Sequence, residues 1–529
     1  MLSRMQKREN RPAERFSDAY RRLLAEILGE SGIGALRASY GIAQEEGEKL
    51  VQCIWFDQYL RADATQTEDG RRVEVRSPGW WNAEAGPDFR GAELQFDGND
   101  AIRTDVEVHL NSSDWYRHGH DKDPAYSRVG LHVVLQNDAD DSFVACHDGT
   151  RVPQLVVTRF LTQELEEIAE AATPREPKPR RATPGECAPW VDKAGRDWVG
   201  QFLDDAGDER VLRKAENFEA QLSSRTLDDA LLEGIMDALG YKSNRRPFRR
   251  LARRLPAAEL KRFVPPDADE AERTLRLEAI LLGVAGLLPE TESAWDAETT
   301  EYAAALRRDW QAVSRELSGR MLRRAEWNFG GMRPLNRPER RIAGAARWLA
   351  RCLHGGLFRG FLVCVEAARS ERTESRRAVE MLRNVHDLIG AGAGYWCRRC
   401  SFNGKRLSAA SQLVGRERAA AMTVNVIIPL MLCESRRSRE PQLEEKVHSL
   451  YASLKPLSEN FATRYVAARI FGSEERAEAV VTTARRQQGL LQLYADFCNF
   501  ADMTCRQCVF KKTAQEFAAR AQPPGESRL

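Results

Sequence analysis

Two carboxylates and three imidazoles fall within one short stretch, GWWNAEAGPDFRGAELQFDGNDAIRTDVEVHLNSSDWYRHGH, which runs from Gly79 to His120. They are Asp88, Glu107, His109, His118 and His120. Two carboxylates held side by side suit a hard divalent cation such as Mg²⁺ or Mn²⁺. Such a cation polarises a phosphoryl oxygen and lowers the pKa of a bound water. His109, two residues beyond Glu107, is placed to orient or deprotonate that water. His118 or His120 would protonate a leaving group or add a ligand. The competing reading is plain: Asp-Val-Glu-Val-His-Leu is also the pattern of a half-exposed antiparallel strand. The clustering favours a site, because His109, His118, His120, His132 and His147 are five of the eight histidines.

These residues need strands to position them. Side chains at i, i+2 and i+4 share a strand face, so Asp105, Glu107 and His109 point one way and Val106, Val108 and Leu110 the other. The turn signal FDGNDA joins this strand to the one that follows Asp88, and a hairpin brings Asp88 beside Glu107. Period-two segments predict strands at Arg71–Ser77, Ala92–Gly98, Ala101–Leu110 and Gly130–Asp138, with two more expected in Ser142–Val157. Residues 16–60 read as helical, with Leu50, Val51, Ile54, Trp55 and Leu60 on roughly one face. Glu166–Glu186 is charged and Pro-rich, a linker composition. From about Trp190 the apolar spacing is helical, as in DALLEGIMDALGY and RIAGAARWLARCL. The expected class is α+β: an N-terminal extension at 1–35, a mixed α/β domain at 36–162, a linker at 163–188, a helical domain at 189–518 and a frayed tail at 519–529.

Two further groups of residues carry chemistry. Cys498, Cys505 and Cys508 form a C-x6-C-x2-C array, and two cysteines so spaced can chelate one metal. Zn²⁺ and a [4Fe–4S] cluster both suit four thiolates. Cys397 and Cys400 offer another C-x2-C. Cys53, Cys146, Cys352, Cys364 and Cys433 sit in apolar surroundings and read as packing residues. Arg246, Arg249, Arg250, Arg253 and Arg254 would cover much of one helix side. That face either tracks a phosphate backbone or pairs with nearby acids.

The chain has 529 residues, 42% of them hydrophobic, and a net charge of +2. It is long enough for two or more cores. The near-neutral balance gives no general affinity for nucleic acid. The charged N-terminus lacks the apolar region of a signal peptide, and no apolar run is expected to cross a bilayer. A cytoplasmic location follows as the expectation, and the 11 cysteines then read as thiols or metal ligands.

Several motifs together resemble one bacterial family, the "domain of unknown function 2851" group. They are Gly-Pro-Asp88-Phe, Asp105-Val-Glu-Val-His109, Ser113-Asp-Trp115, His118-Gly-His120, Tyr126 and Leu131-His-Val-Val134. Later stretches agree too: Leu239–Asn244, Gly283–Pro289, Met332–Ala343, Asn425–Leu432 and the terminal cysteines. Cys187 also fits that family, which makes it the first choice for a fourth thiol ligand. The N-terminal order of helix, strand, Pro-Asp, strand and Glu-x-basic is similar to PD-(D/E)XK phosphodiesterases. That resemblance implies a metal between Asp88 and Glu107, with Glu48 as an accessory acid. It departs at His109, where the superfamily carries Lys. A His there is similar to very-short-patch mismatch-repair endonucleases. Some nucleases of the superfamily also hold an iron–sulfur cluster on one distant and three C-terminal cysteines. His118-Gly-His120-Asp121 is similar to the zinc motif of metallo-β-lactamases, but Lys122 and Asp123 stand where that motif has Asp and His.

The leading expectation is a metal-dependent nuclease acting on DNA or RNA, with Asp88 and Glu107 as ligands, His109 as base and no membrane partner. One alternative is a non-catalytic nucleic-acid-binding or scaffold protein on a degenerate nuclease core. Another is a zinc hydrolase of small substrates using His118 and His120.

Overall fold

The computed structural model describes residues 42–61, 64–82, 86–139, 141–161, 184–241, 244–290, 295–329, 332–368, 373–390, 392, 394–458, 461–497, 505 and 508–521. The expected N-terminal extension, most of the linker, the last residues of the tail and Cys498 lie outside them.

The chain forms two compact units that interleave along the sequence. One holds Asp197–Glu459 and Glu478–Leu493. Among the described residues, the other holds Ile42–Arg196, Phe461–Ala477 and Tyr494–Ala521. The segments bearing Cys505 and Cys508 therefore group with the N-terminal sheet.

That sheet has seven strands: β1 (Val73–Ser77), β2 (Trp80–Trp81), β3 (Phe89–Phe96), β4 (Ile102–Asn111), β5 (Val129–Gln136), β6 (Phe143–Ala145) and β7 (Arg151–Val156). Their order is β1-β3-β4-β5-β7-β6, with β2 paired to β3. The β1–β3 and β3–β4 pairs are antiparallel, and β4–β5 and β5–β7 are parallel. A parallel neighbour requires a crossover. Residues 112–128 supply it, with the short helix α2 (Asp114–Arg117) and a 3-10 turn at Pro124–Tyr126.

The helix α1 (Ile42–Phe56) packs Val51, Ile54 and Trp55 against Val106, Val108, Leu131, Val133 and Leu155. These are the apolar alternates of the central strands. The residues between them face the other way. There Trp115, Tyr126, Val129, Val144, Cys146 and Val152 form a second small core. β4 is thus covered on both faces, unlike the half-exposed strand that its alternating polarity predicts. Asp105, Glu107 and His109 are all buried.

The other unit is helical. Three of its helices begin at side-chain caps: Thr226 accepts from the Asp229 N–H, Asp269 from Glu272 and Asp296 from Thr299. One helical stretch, Arg416–Arg437, is long and apolar enough to cross a membrane by length and composition, against the expectation that no run would be. About 72% of its apolar window is buried within the chain. A helix enclosed by other helices is apolar all round for that reason.

Candidate metal centre

Glu107 lies in β4 with neighbouring strands on both sides, and Asp88 is the residue before β3 begins. The antiparallel register pairs Phe89 with Val106 and then shifts before Ala92. Gly91 sits in that irregularity at φ +66°, a conformation open to glycine. Its N–H donates to Asp105 Oδ1 at 2.8 Å. The register places the Asp88 N–H 2.9 Å from Glu107 Oε2. Asp88 Oδ2 accepts from the Val108 N–H at 3.0 Å, and Oδ1 from Gln52 Nε2 of α1 at 2.9 Å. The expected convergence of Asp88 and Glu107 is therefore present. The form of the contact differs from a shared cation cradle, because the Asp88 carboxylate holds the β4 backbone and its N–H holds Glu107. Burial pushes both carboxyls well above their usual range, and their mutual repulsion adds to it at Asp88. Glu48, half-buried on α1, adds repulsion at Glu107.

Glu107 Oε1 faces imidazoles. It lies 3.3 Å from His120 Nε2 and 3.7 Å from His109 Nε2. His109 Nε2 is 3.1 Å from His118 Nδ1. One nitrogen from each of His109, His118 and His120 can be chosen so that all three lie within 4.8 Å of one another. His109 reaches this point from β4 itself. α2 and the turn after it deliver the other two, with Gly119 between them at φ +76°. His120 is clamped between rings: Tyr126 stacks on it with centroids 3.8 Å apart, and Trp115 meets it edge-on at 5.5 Å. His118 is exposed, so the cluster has one solvent-facing member.

Behind His109 stands a chain of hydrogen bonds. Gln154 Nε2 donates to the Asp141 carbonyl at 2.6 Å, which turns Gln154 Oε1 toward His132 Nδ1 at 2.9 Å. His132 Nδ1 must then donate, which leaves His132 Nε2 to accept from His109 Nδ1 at 2.8 Å. The network assigns the His109 proton to Nδ1 and leaves the Nε2 lone pair aimed at Glu107 and His118. Burial favours the uncharged form of three rings: His109 falls well below the usual histidine range, His120 to about 4 and His132 to about 3. Uncharged imidazoles are metal ligands. Of the two roles expected for His118 or His120, protonating a leaving group or adding a ligand, a ring kept neutral suits the second better.

Sequence reasoning counted His132 in the histidine cluster but gave it no role. It gave Gln52 and Gln154 no signal, since each acts across a contact that only the folded sheet creates.

The other candidate residues lie elsewhere. The helix Arg245–Arg254 pairs with acids of its own unit. Arg249 lies 3.3 Å from Asp237, Arg253 donates three hydrogen bonds to Glu233, and Arg250 pairs with Glu326. Arg246 is half-buried on the same helix. Three of these arginines thus have acidic partners within the chain. Cys187, Cys505 and Cys508 line one cavity. Cys53, Cys146, Cys352, Cys364 and Cys433 are buried, as packing residues should be.

A family model described as "protein of unknown function (DUF2851)" matches residues 48–460. The chain belongs to the DUF2851 family. The match takes in Glu48, Asp88, Glu107, the four clustered histidines and Gln154, and it ends before Cys505. No curated protein and no solved structure matches this DUF2851 member.

Proposed function

We propose that the sheet domain is a metal-dependent phosphodiesterase acting on nucleic acid. The observation that carries this reading is the gathering of His109, His118 and His120, one nitrogen from each within 4.8 Å of the others, beside Glu107 Oε1, which lies 3.3 Å from His120 Nε2 and 3.7 Å from His109 Nε2. A tetrahedral ion with bonds of about 2.0–2.1 Å sets its donors about 3.4 Å apart, close to the 3.3 and 3.7 Å from Glu107 to two of these rings and the 3.1 Å between His109 and His118. Three imidazoles and one carboxylate favour Zn²⁺ or a similar transition ion over the Mg²⁺ that paired carboxylates alone would favour. When bound, such an ion supplies a nucleophile at neutral pH and a polarised phosphoryl oxygen.

The chain's own residues divide the remaining work. Glu107, His109, His118 and His120 would hold the cation. Asp88 positions Glu107 through its N–H, and His132 with Gln154 fixes the His109 ring. In hydrolysis a water oxygen bonds to phosphorus as the bond to the leaving nucleoside oxygen breaks. The water's proton passes to solvent on the exposed His118 side, and the leaving oxygen takes a proton from solvent. A nucleic-acid substrate is favoured by the exposed Arg117 and Lys122, which flank the two site histidines of the crossover loop. Trp80, 77% exposed on β2, offers a ring on which a base can stack.

The test is cleavage of labelled DNA and RNA with Zn²⁺, Mn²⁺ or Mg²⁺, comparing wild type with Asp88→Ala and Glu107→Ala. Cleavage by wild type that is lost in Glu107→Ala supports the reading. Equal activity in all three proteins removes it. Salt-dependent binding without turnover under any ion would favour the non-catalytic scaffold.

A further inference from the structure

The cysteine cavity is separate from the histidine cluster in its residues and in its chemistry. Cys187, Cys505 and Cys508 line it, together with Gly185, Arg469 and Lys511. Cys187 stands at the start of the helix Ala188–Ala194. The Gly185 N–H donates to the Arg469 carbonyl at 2.7 Å, and a Cβ on Gly185 would lie 3.3 Å from the Cys187 sulfur. Cys508 precedes the helix Val509–Ala521; burial pushes its thiol up, and the N–H groups of Lys511 and Phe510, which its sulfur receives, oppose that shift. Arg469 Nη2 lies 3.3 Å from the Cys505 sulfur. Two of the three sulfurs therefore face hydrogen-bond donors. A thiol that only fills space has no need of them. Three sulfurs from two distant parts of the chain, two of them so equipped, form a donor set for a soft metal.

We propose that this cavity holds a thiolate-ligated metal centre, either Zn²⁺ or an iron–sulfur cluster. The two share their ligand chemistry, and spacing bears on the choice. A single Zn²⁺ with bonds of about 2.3 Å sets its sulfurs about 3.8 Å apart. Among the described residues only the histidine group gathers within 4.8 Å, so these three sulfurs are spread more widely than one ion requires. That spread favours the larger, cluster-type centre. Either centre ties the Gly185–Cys187 turn to the C-terminal helix, and Arg469 offsets part of the charge that the thiolates bring.

The experiment is metal and acid-labile sulfide analysis of the full chain purified without oxygen, beside Cys508→Ser and the double variant His109→Ala/His120→Ala. Wild type should carry iron with sulfide, or zinc without it. Cys508→Ser should lose that metal, and the histidine variant should keep it. Iron with sulfide and a visible charge-transfer band identifies the cluster; zinc without sulfide identifies the single ion. X-ray absorption on the wild-type protein should give a metal–sulfur shell near 2.3 Å for zinc or a comparable one for iron, at about that length. This reading does not depend on whether Cys508→Ser folds. Absence of a metal–sulfur shell, or metal content unchanged by Cys508→Ser, would overturn the proposal. Neither result depends on phosphodiesterase activity.

Discussion

His109 is held on both sides of its ring. Its Nδ1 donates to His132, and its Nε2 faces His118 and Glu107. Gln154 fixes the direction of the whole chain, because its amide is itself oriented by the Asp141 carbonyl. Partners of this kind around metal ligands set affinity as well as orientation. Gln154→Leu should therefore weaken Zn²⁺ binding about 10–100-fold in a competition titration, while Gln154→Glu, which keeps an acceptor toward His132, should lose less. Unchanged affinity in Gln154→Leu would mean that His109 is not a ligand. Part of this was legible beforehand. Alternation along Asp105–His109 put Glu107 and His109 on one face, and the hairpin put Asp88 beside Glu107. The relay was not legible, because Gln154 meets His132 through parallel pairing of β5 with β7, which no local pattern encodes.

Elements that look alike in sequence can differ in what surrounds them. The helix Arg245–Arg254 reads as a phosphate-binding face from its arginines alone. Its acids come from other segments: Glu233 and Asp237 from the preceding helix, and Glu326 from far along the chain. Glu233 is buried and is shared between Arg253 and Arg225. Arg253→Ala should lower stability by about 1–2 kcal/mol, since a buried carboxylate loses one of its two partners. The same variant should leave nucleic-acid affinity and its salt dependence unchanged. A stable variant with a reduced salt slope would restore the phosphate-binding role. The strands tell a similar story. Period-two segments located β1, β3, β4 and β5 well, because each sends apolar alternates into the core that α1 shares. Burial of the polar face was hidden, since it depends on the crossover folding Trp115 and Tyr126 over β4.

Across the whole chain, burial sets how stability should depend on pH. Glu278 in the helical unit is buried and accepts from the Tyr302 hydroxyl at 2.8 Å, and burial raises it from 4.5 to about 7. Between those values the folded carboxyl keeps a proton that the unfolded chain has lost. Stability should therefore fall as pH rises through that window, by up to about 1.4 kcal/mol per pH unit from this group. Glu278→Gln should flatten that part of the profile in urea unfolding. A slope that survives the substitution would assign it to other groups. The broad division into a mixed sheet and a larger helical part was readable from periodicity, whereas the return of the C-terminal segment to the sheet unit was not, because it rests on contacts distant in sequence. One measurement bears on the proposed chemistry before any substrate is known: anomalous diffraction from crystals soaked in Zn²⁺ or Mn²⁺. A single strong peak should appear about 2.0–2.2 Å from Glu107 Oε1 and from the nitrogens of His109, His118 and His120. A map with no peak among those four side chains would contradict the metal centre and the hydrolytic function built on it.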